Sequence, residues 1–314
     1  MHVTEHLDKS QKTLFSFEII PPPRGKTVRD IINIVEQIAP VKPPFIDVTS
    51  HMAEATYDEQ KDGTVKRRIR KKRPGTISIC GIIQNRYGID TVPHLLCTGF
   101  TREETEDAII ELNYLGIQNV LAIRGDESNY NKALSKGRTR NIYAKSLVGQ
   151  LVDLREARYL DDIANSEPIN FCVGVGGYPE KHVEAPNFKT DVKYLKEKVD
   201  AGADYIVSQM FYNNDDFFAY TKMCREAGID VPIIPGLKLI ENVRQLRTLP
   251  KHFHVSLPVD LVDEITESPK HVKEIGRRWG RGQVEGLMNQ GAECIHFYVM
   301  NDASPVVEMI SDLV

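Results

Sequence analysis

Short apolar runs rich in β-branched residues alternate with amphipathic stretches of helical period from residue 14 almost to the end of the chain. Eight runs read as strands, over residues 14–20, 45–49, 91–97, 119–124, 170–176, 205–211, 231–237 and 294–299. Each is apolar at most positions instead of at every second one, the pattern of parallel strands covered on both faces. Helical patterns separate them, over 27–38, 76–87, 101–115, 144–157, 189–201, 215–227 and 241–249. One or two further helices fit 258–291, before the last strand, and another fits 304–314. Thr101-Arg102-Glu103-Glu104 is a capping box, and Gly88, Gly116, Gly202 and Gly228 stand where helices stop. Eight strands alternating with helices predict a single-domain (β/α)8, or TIM, barrel over residues 1–314, with extra helices before the last strand. A doubly wound open sheet is the alternative.

Function in such a barrel sits at the C-terminal ends of the strands. Polar residues stand there on seven of the eight: Glu18; Thr49, Ser50 and His51; His94; Arg124, Gly125 and Asp126; Tyr178, Glu180, Lys181 and His182; Gln209; and His296. The first strand carries the sharpest feature, Phe15-Ser16-Phe17-Glu18-Ile19-Ile20 followed by Pro21-Pro22-Pro23-Arg24. Prolines cannot extend a sheet ladder, so the strand ends there. A carboxylate in an apolar run is costly unless it is paired or used. Two readings of Glu18 stand at this point: a carboxylate on a solvated face, or a functional one at the mouth of a barrel.

Charge and composition narrow the field. The chain has 314 residues, 41% of them hydrophobic, with no apolar run long enough to span a bilayer and a polar stretch over residues 1–13 where a signal peptide would be apolar. These features predict a soluble, cytoplasmic protein. The five cysteines, Cys80, Cys97, Cys172, Cys224 and Cys294, are scattered and read as buried free thiols, with Cys97 a candidate to line a site. A net charge of −4 does not suit a polyanion binder, apart from the seven cations of Lys66-Arg67-Arg68-Ile69-Arg70-Lys71-Lys72-Arg73. That run reads as a solvated loop; without interleaved aromatics a nucleic-acid patch is not expected, and a docking surface for an anionic substrate tail is a further reading.

No metal-ligand spacing, nucleophile elbow, P-loop or dinucleotide fingerprint is present. Gly174-Val175-Gly176-Gly177 leads into Tyr178-Pro179 instead of a helix, and reads as a place where a flat ligand meets the backbone. One strand-end Glu, one Asp, several His, Gln and Tyr, and no evident nucleophile favour proton transfer beside a bound polar ligand or redox cofactor.

At this level of detail the chain resembles the methylenetetrahydrofolate reductases, in the short bacterial form that is a catalytic barrel alone. The resemblance rests on Phe15-Ser16-Phe17-Glu18 with its prolines, Asp47-Val48-Thr49, Pro93-His94-Leu95-Leu96-Cys97, Leu121-Ala122-Ile123-Arg124-Gly125-Asp126, Tyr178-Pro179-Glu180-Lys181-His182, Ser208-Gln209-Met210-Phe211, Ile234-Pro235-Gly236 and His296-Phe297-Tyr298, in that order. It implies an FAD-dependent oxidoreductase working by a ping-pong mechanism. NADH or NADPH would reduce the flavin, which would then reduce 5,10-methylenetetrahydrofolate to 5-methyltetrahydrofolate for methionine synthesis. Glu18, with a raised pKa, would protonate N10 and open the folate ring; Asp126 would stabilise the resulting cation. Flavin contacts would come from Thr49, His94, Arg124, Gly125, Asp126, Ala144, Tyr178, His182, Ala185, Asp191 and Lys198, and folate or nicotinamide contacts from Gln209 and Gln245. The resemblance also implies a homo-oligomer, while charge, hydropathy and ligand spacing predict no nucleic-acid, membrane or metal partner, and no regulatory domain is expected after the barrel.

The chain departs from the common family pattern at three places: Ser50-His51-Met52 replaces Tyr-Gly-Ala, Asp302 follows Asn301 where Arg is common, and Leu249 stands where a Phe packs near substrate. Competing readings are another flavin barrel, such as a proline dehydrogenase, and a non-catalytic folate- or flavin-binding subunit of a larger complex.

Overall fold

The computed structural model describes residues 1–125 and 132–314. Eight parallel strands close into a barrel: β1 (Leu14–Ile19), β2 (Phe45–Val48), β5 (Asp90–Leu96), β6 (Asn119–Ile123), β7 (Cys172–Gly177), β8 (Tyr205–Met210), β9 (Ile233–Leu237) and β10 (Cys294–Met300). β3 (Ala53–Glu59) and β4 (Val65–Lys71) form a separate antiparallel hairpin. All eight predicted barrel strands are present, and β1 pairs with β10 to close the ring. The open-sheet alternative is excluded.

Strand alternation sorts the core into two layers. Leu14, Phe45, Val92, Leu121, Cys172, Tyr205, Ile234 and Cys294 draw one residue from every strand into a single cluster. Only the barrel interior can gather all eight. Their neighbours along the strands, among them Phe17, Ile46, Val120, Val173, Ile206, Ile295 and Phe297, join the larger cluster beneath the surrounding helices.

The helices follow the predicted order: α2 (Val28–Ile38), α3 (Thr76–Tyr87), α4 (Arg102–Tyr114), α5 (Ala144–Arg155), α6 (Phe188–Asp200) and α7 (Asn214–Glu226), then α8 (Gln245–Phe253), α9 (Val259–Glu267) and α10 (Val272–Asn289) before β10, and α11 (Ser304–Ile310) at the end. The Thr101 capping box forms, and Gly88 closes α3 in the left-handed conformation. α8 starts four residues later than the 241–249 pattern suggests, because the Gln245 side chain accepts hydrogen bonds from the Glu241 and Asn242 amides and holds them in a turn.

Three features depart from the sequence reading. The polar N-terminus contains α1 (Val3–Lys9), which places Val3 and Leu7 in the interior cluster and plugs the barrel end opposite the site. Asn119, at the start of β6, holds it there by accepting from the Val3 amide at 2.8 Å. The basic run is a strand and not a loop: β4 pairs with β3 through a turn at Asp62-Gly63. The glycines of β7 serve packing more than ligand approach. A Cβ on Gly174 would enter the Tyr205 ring and one on Gly177 would meet Ile206 and the Tyr220 hydroxyl, whereas beside Gly176 the nearest atom is the Tyr178 hydroxyl, at 4.0 Å.

Candidate active site

Glu18 lies near the C-terminal end of β1, opposite Asp47 of β2 in the strand register. Two carboxylates facing each other across parallel strands repel unless a cation or proton donor stands between them. His94 of β5 fills that role. Asp47 pairs with Val92, so His94 is its diagonal neighbour on the interior face. The His94 Nε2 lies 3.3 Å from Asp47 Oδ2 and 3.5 Å from Glu18 Oε2. Both neighbours are acceptors, which assigns the hydrogen to Nε2. The side chains of Asp47 and His94 are 1% and 5% exposed and that of Glu18 is 12% exposed, so water screens this array weakly.

A second imidazole approaches from β10. His296 Nε2 is 4.0 Å from Glu18 Oε2, an approach longer than a hydrogen bond, while its Nδ1 is 2.9 Å from Ser16 Oγ. Lys238, after β9, donates to the Tyr298 carbonyl and adds positive charge near Glu18. The Asp47 Oδ1 and His296 Nε2 atoms are buried without hydrogen-bond partners among the described residues.

These neighbours overturn one expectation. Burial works to raise the Glu18 pKa, but His296, the charge on His94 and the Lys238 ammonium outweigh it, and Glu18 is held below the usual carboxylate range. His94 moves the opposite way: burial disfavours its charged form, yet the hydrogen bond to Asp47 and the charges of Glu18 and Asp47 raise its pKa above the ordinary value. The proton in this cluster therefore belongs to the imidazole and not to Glu18.

A second group lines the rim over β6, β7 and α6. Arg124 follows β6 and makes a two-pronged pair with Glu184, at 2.7 and 2.6 Å. Gly125 turns the chain at φ +88°. The Tyr178 and His182 rings meet edge to face at 4.5 Å. Asp191, in the first turn of α6, accepts from the His182 amide at 3.1 Å. Lys198, further along α6, donates to the Gly176 carbonyl at 2.5 Å, and burial lowers its pKa to about 8. Lys181, in the left-handed region at φ +75°, donates to the carbonyls of His182 and Ala185 and folds this loop down.

The remaining predicted residues scatter around these two groups. Thr49 follows β2, with its hydroxyl buried and without a hydrogen-bond partner among the described residues. Ala144 is the first residue of α5. Gln209, on β8, accepts from the Met210 amide, and Gln245 holds the turn before α8. Asp126 lies outside the described residues. Of the departures, Leu249 packs into an apolar cluster with Met210 and Tyr212, and Asp302 accepts from the Ser304 amide at the start of α11. Cys97 is buried, as are the other four cysteines, and its thiol is pushed up to about 12. Asp47 lies in one of the segments that carry the resemblance, but neither it nor Lys238 was given a site role from the sequence. A further signal for Asp47 was an acid inside the apolar run Phe45-Ile46-Asp47-Val48, the same signal that Glu18 gave.

The chain is 31% identical over 317 residues to Methylenetetrahydrofolate reductase 1 of Schizosaccharomyces pombe, covering 98% of this chain and 47% of that protein. It is 27% identical over 291 residues to the 5,10-methylenetetrahydrofolate reductase of Pectobacterium carotovorum subsp. carotovorum, covering 92% and 86%. The chain thus spans about half the length of curated eukaryotic relatives and most of the bacterial one. Among solved structures, an uncharacterized protein from Clostridium thermocellum that binds two copies of 5-methyl-5,6,7,8-tetrahydrofolic acid shares the fold at 12% identity and a TM-score of 0.58, with 98% and 96% of the two chains covered. The family model for methylenetetrahydrofolate reductase matches residues 2–314, and the chain belongs to that family.

Proposed function

We propose that this protein reduces 5,10-methylenetetrahydrofolate to 5-methyltetrahydrofolate, with FAD as resident cofactor and NADH or NADPH as reductant in a ping-pong cycle. The observation that carries this reading is Glu18: a carboxyl group buried at the functional end of a barrel and in contact with a proton-bearing imidazole. Opening the folate ring places a proton on its leaving nitrogen, and Glu18 is the group that would deliver it. Family membership supplies the substrate.

The residues present suit the cofactor. FAD combines a flat polar ring with a diphosphate. The rim offers the Arg124 guanidinium and the half-buried Lys198 ammonium for negative charge, and the buried Thr49 hydroxyl still lacks a hydrogen-bond partner among the described residues. Tyr178, His182, Asp191, Ala185 and Ala144 would shape the rest of that seat, with His94 beneath it. Bound flavin would supply the hydride that no side chain can. Glu18 would give its proton to N10. Asp126 would stabilise the resulting cation, and Gln209 and Gln245 would orient the ligands. We place the enzyme in the cytoplasm, since five buried free thiols suit a reducing compartment, and as a homo-oligomer serving methionine synthesis.

The test is spectroscopic. Purified protein should be yellow, with an absorbance band near ~450 nm that is bleached by NADH or NADPH under anaerobic conditions and restored by methylenetetrahydrofolate. A protein that takes up no FAD, or whose reduced flavin is not reoxidised by the folate, overturns the reading.

A further inference from the structure

The reaction proposed above consumes a proton as well as a hydride, and the charges around Glu18 do not leave that proton on it. One imidazole nitrogen, His94 Nε2, stands between two acceptor oxygens, at 3.3 and 3.5 Å. The array is ordered by the sheet itself: β1, β2 and β5 are neighbours in the barrel, and they contribute Glu18, Asp47 and His94 in turn. Asp47 is as deeply buried as the apolar core, at 1% exposure, and Oδ2 accepts from His94. A buried carboxylate is costly to keep unless its charge has a use.

We propose that Asp47 and His94 form a proton store for Glu18: His94, held charged by Asp47, passes its Nε2 proton to the ionised Glu18 at Oε2, and Glu18 hands that proton on to the leaving nitrogen of the folate. The inference rests on the reductase reading above. In this relay the Nε2–H bond breaks as a Glu18 O–H bond forms; that O–H bond then breaks as the same proton bonds to N10, and Glu18 returns to its carboxylate. The N10–C bond breaks with its electron pair on the nitrogen. His94 is left neutral, with an Nε2 lone pair facing the Asp47 carboxylate. That arrangement is unfavourable, and it drives uptake of one proton from solvent before the next cycle. The balance matches the net reaction, one hydride and one proton per folate. Asp47 and His94 are positioning residues here; Glu18 is the catalytic one.

The surrounding charges agree with this direction of flow. The groups acting on His94 are Glu18 from β1 and Asp47 from β2. Those on Glu18 are His94 from β5, His296 from β10 and Lys238 after β9. Cys80 of α3, Tyr205 of β8, and Cys294 and Tyr298 of β10 lie within electrostatic reach of Asp47, and burial keeps all four in their neutral forms at physiological pH. No other cation competes with His94 for Asp47 among these described neighbours.

The experiment compares wild type with Asp47→Asn, which keeps shape and removes charge. Reduction of bound flavin by NADH should be unchanged. Reoxidation by methylenetetrahydrofolate should slow about 10-fold or more. In wild type that rate should fall only as pH rises through the raised pKa of His94; in the variant the fall should move down toward the ordinary histidine range, about 6.5. A second readout needs no cofactor: nitrogen-15 NMR of histidine side chains in the unloaded protein, with His94 assigned by His94→Gln. It should show His94 charged at a pH where free histidine is neutral, and that charge lost earlier in Asp47→Asn. If Asp47→Asn does not fold, the wild-type titration decides alone. An unchanged pH profile, or His94 neutral in wild type at pH 7, overturns the store and leaves the reductase reading standing. A wild-type flavin that the folate never reoxidises overturns the reading itself, and the store with it.

Discussion

The two halves of the site use the same kinds of side chain for opposite ends. On the β1–β2–β5–β10 side, the Glu18, Asp47, His94 and His296 side chains are buried to 12% exposure or less and lie within 4.0 Å of one another in a chain of contacts. On the β6–β7–α6 side, the Arg124 and Glu184 side chains are 32% and 48% exposed and pair with each other at the rim. Burial is what separates them. In the first group a proton moved by one position changes every neighbour, which suits acid–base work. In the second, solvent screens the pair, and an arriving anion can replace Glu184 at little cost. A list of catalytic-looking residues would rank Arg124 and Glu18 alike; their surroundings do not.

The contrast can be broken most sharply at Glu18. Glu18→Gln should cut folate-dependent reoxidation of the flavin by about 10²-fold or more while leaving its reduction by NADH nearly intact; stopped-flow absorbance of the two half-reactions measures both. Equal losses in the two would make Glu18 a cofactor-binding residue and erase the difference. Lys198→Met tests the other half. Losing a charge-assisted contact should weaken FAD retention about 10-fold or more, followed by flavin fluorescence on dilution, and saturating FAD should restore turnover.

Stability carries the next largest signal. The folded-state pKa of His94 is raised, so its contribution is fully present below the unfolded value, about 6.5, and is lost as pH rises through the folded one. Unfolding free energies of wild type and Asp47→Asn, from denaturant titrations, should therefore differ by about 1–3 kcal/mol near pH 6 and converge as pH rises through the raised pKa of His94. Glu18 has the opposite sign: its depressed pKa stabilises above about 4.3 and the benefit fades on acidification. Arg124→Gln should change stability least, by less than about 1 kcal/mol, because its partner is half exposed. A larger loss there would mean that the rim is as tightly coupled as the floor.

What the sequence revealed follows the same division. All eight barrel strands are legible because a parallel strand buried on both faces is apolar throughout. The Thr101 box and Gly88 mark their helix ends because capping chemistry is local. Glu18 stood out as an acid before prolines. Its state did not, because that depends on His94, 76 positions away in the chain, and on a register no single sequence displays. Asp47 was missed for the same reason. The hairpin was missed although Asp62-Gly63, a strong turn signal, sits between its strands; its exposed polar positions hid the alternation that usually marks a strand. The helix α1 was hidden by having only Val3 and Leu7 facing inward, one turn apart.

That hairpin has a consequence for how the protein behaves in a crowded solution. Two strands without a third leave open edges, where unpaired backbone groups invite another chain to add on. Every residue of β4 is exposed, and five of its seven are Lys or Arg. A second copy aligning against that edge would bring like charges to within a strand spacing, about 5 Å, inside the roughly 8 Å over which physiological salt screens them. The basic row thus works as a repellent fringe, and its strength is set by ionic strength: adding salt should promote self-association, and replacing Lys66 and Arg70 by Ser should do so in dilute buffer.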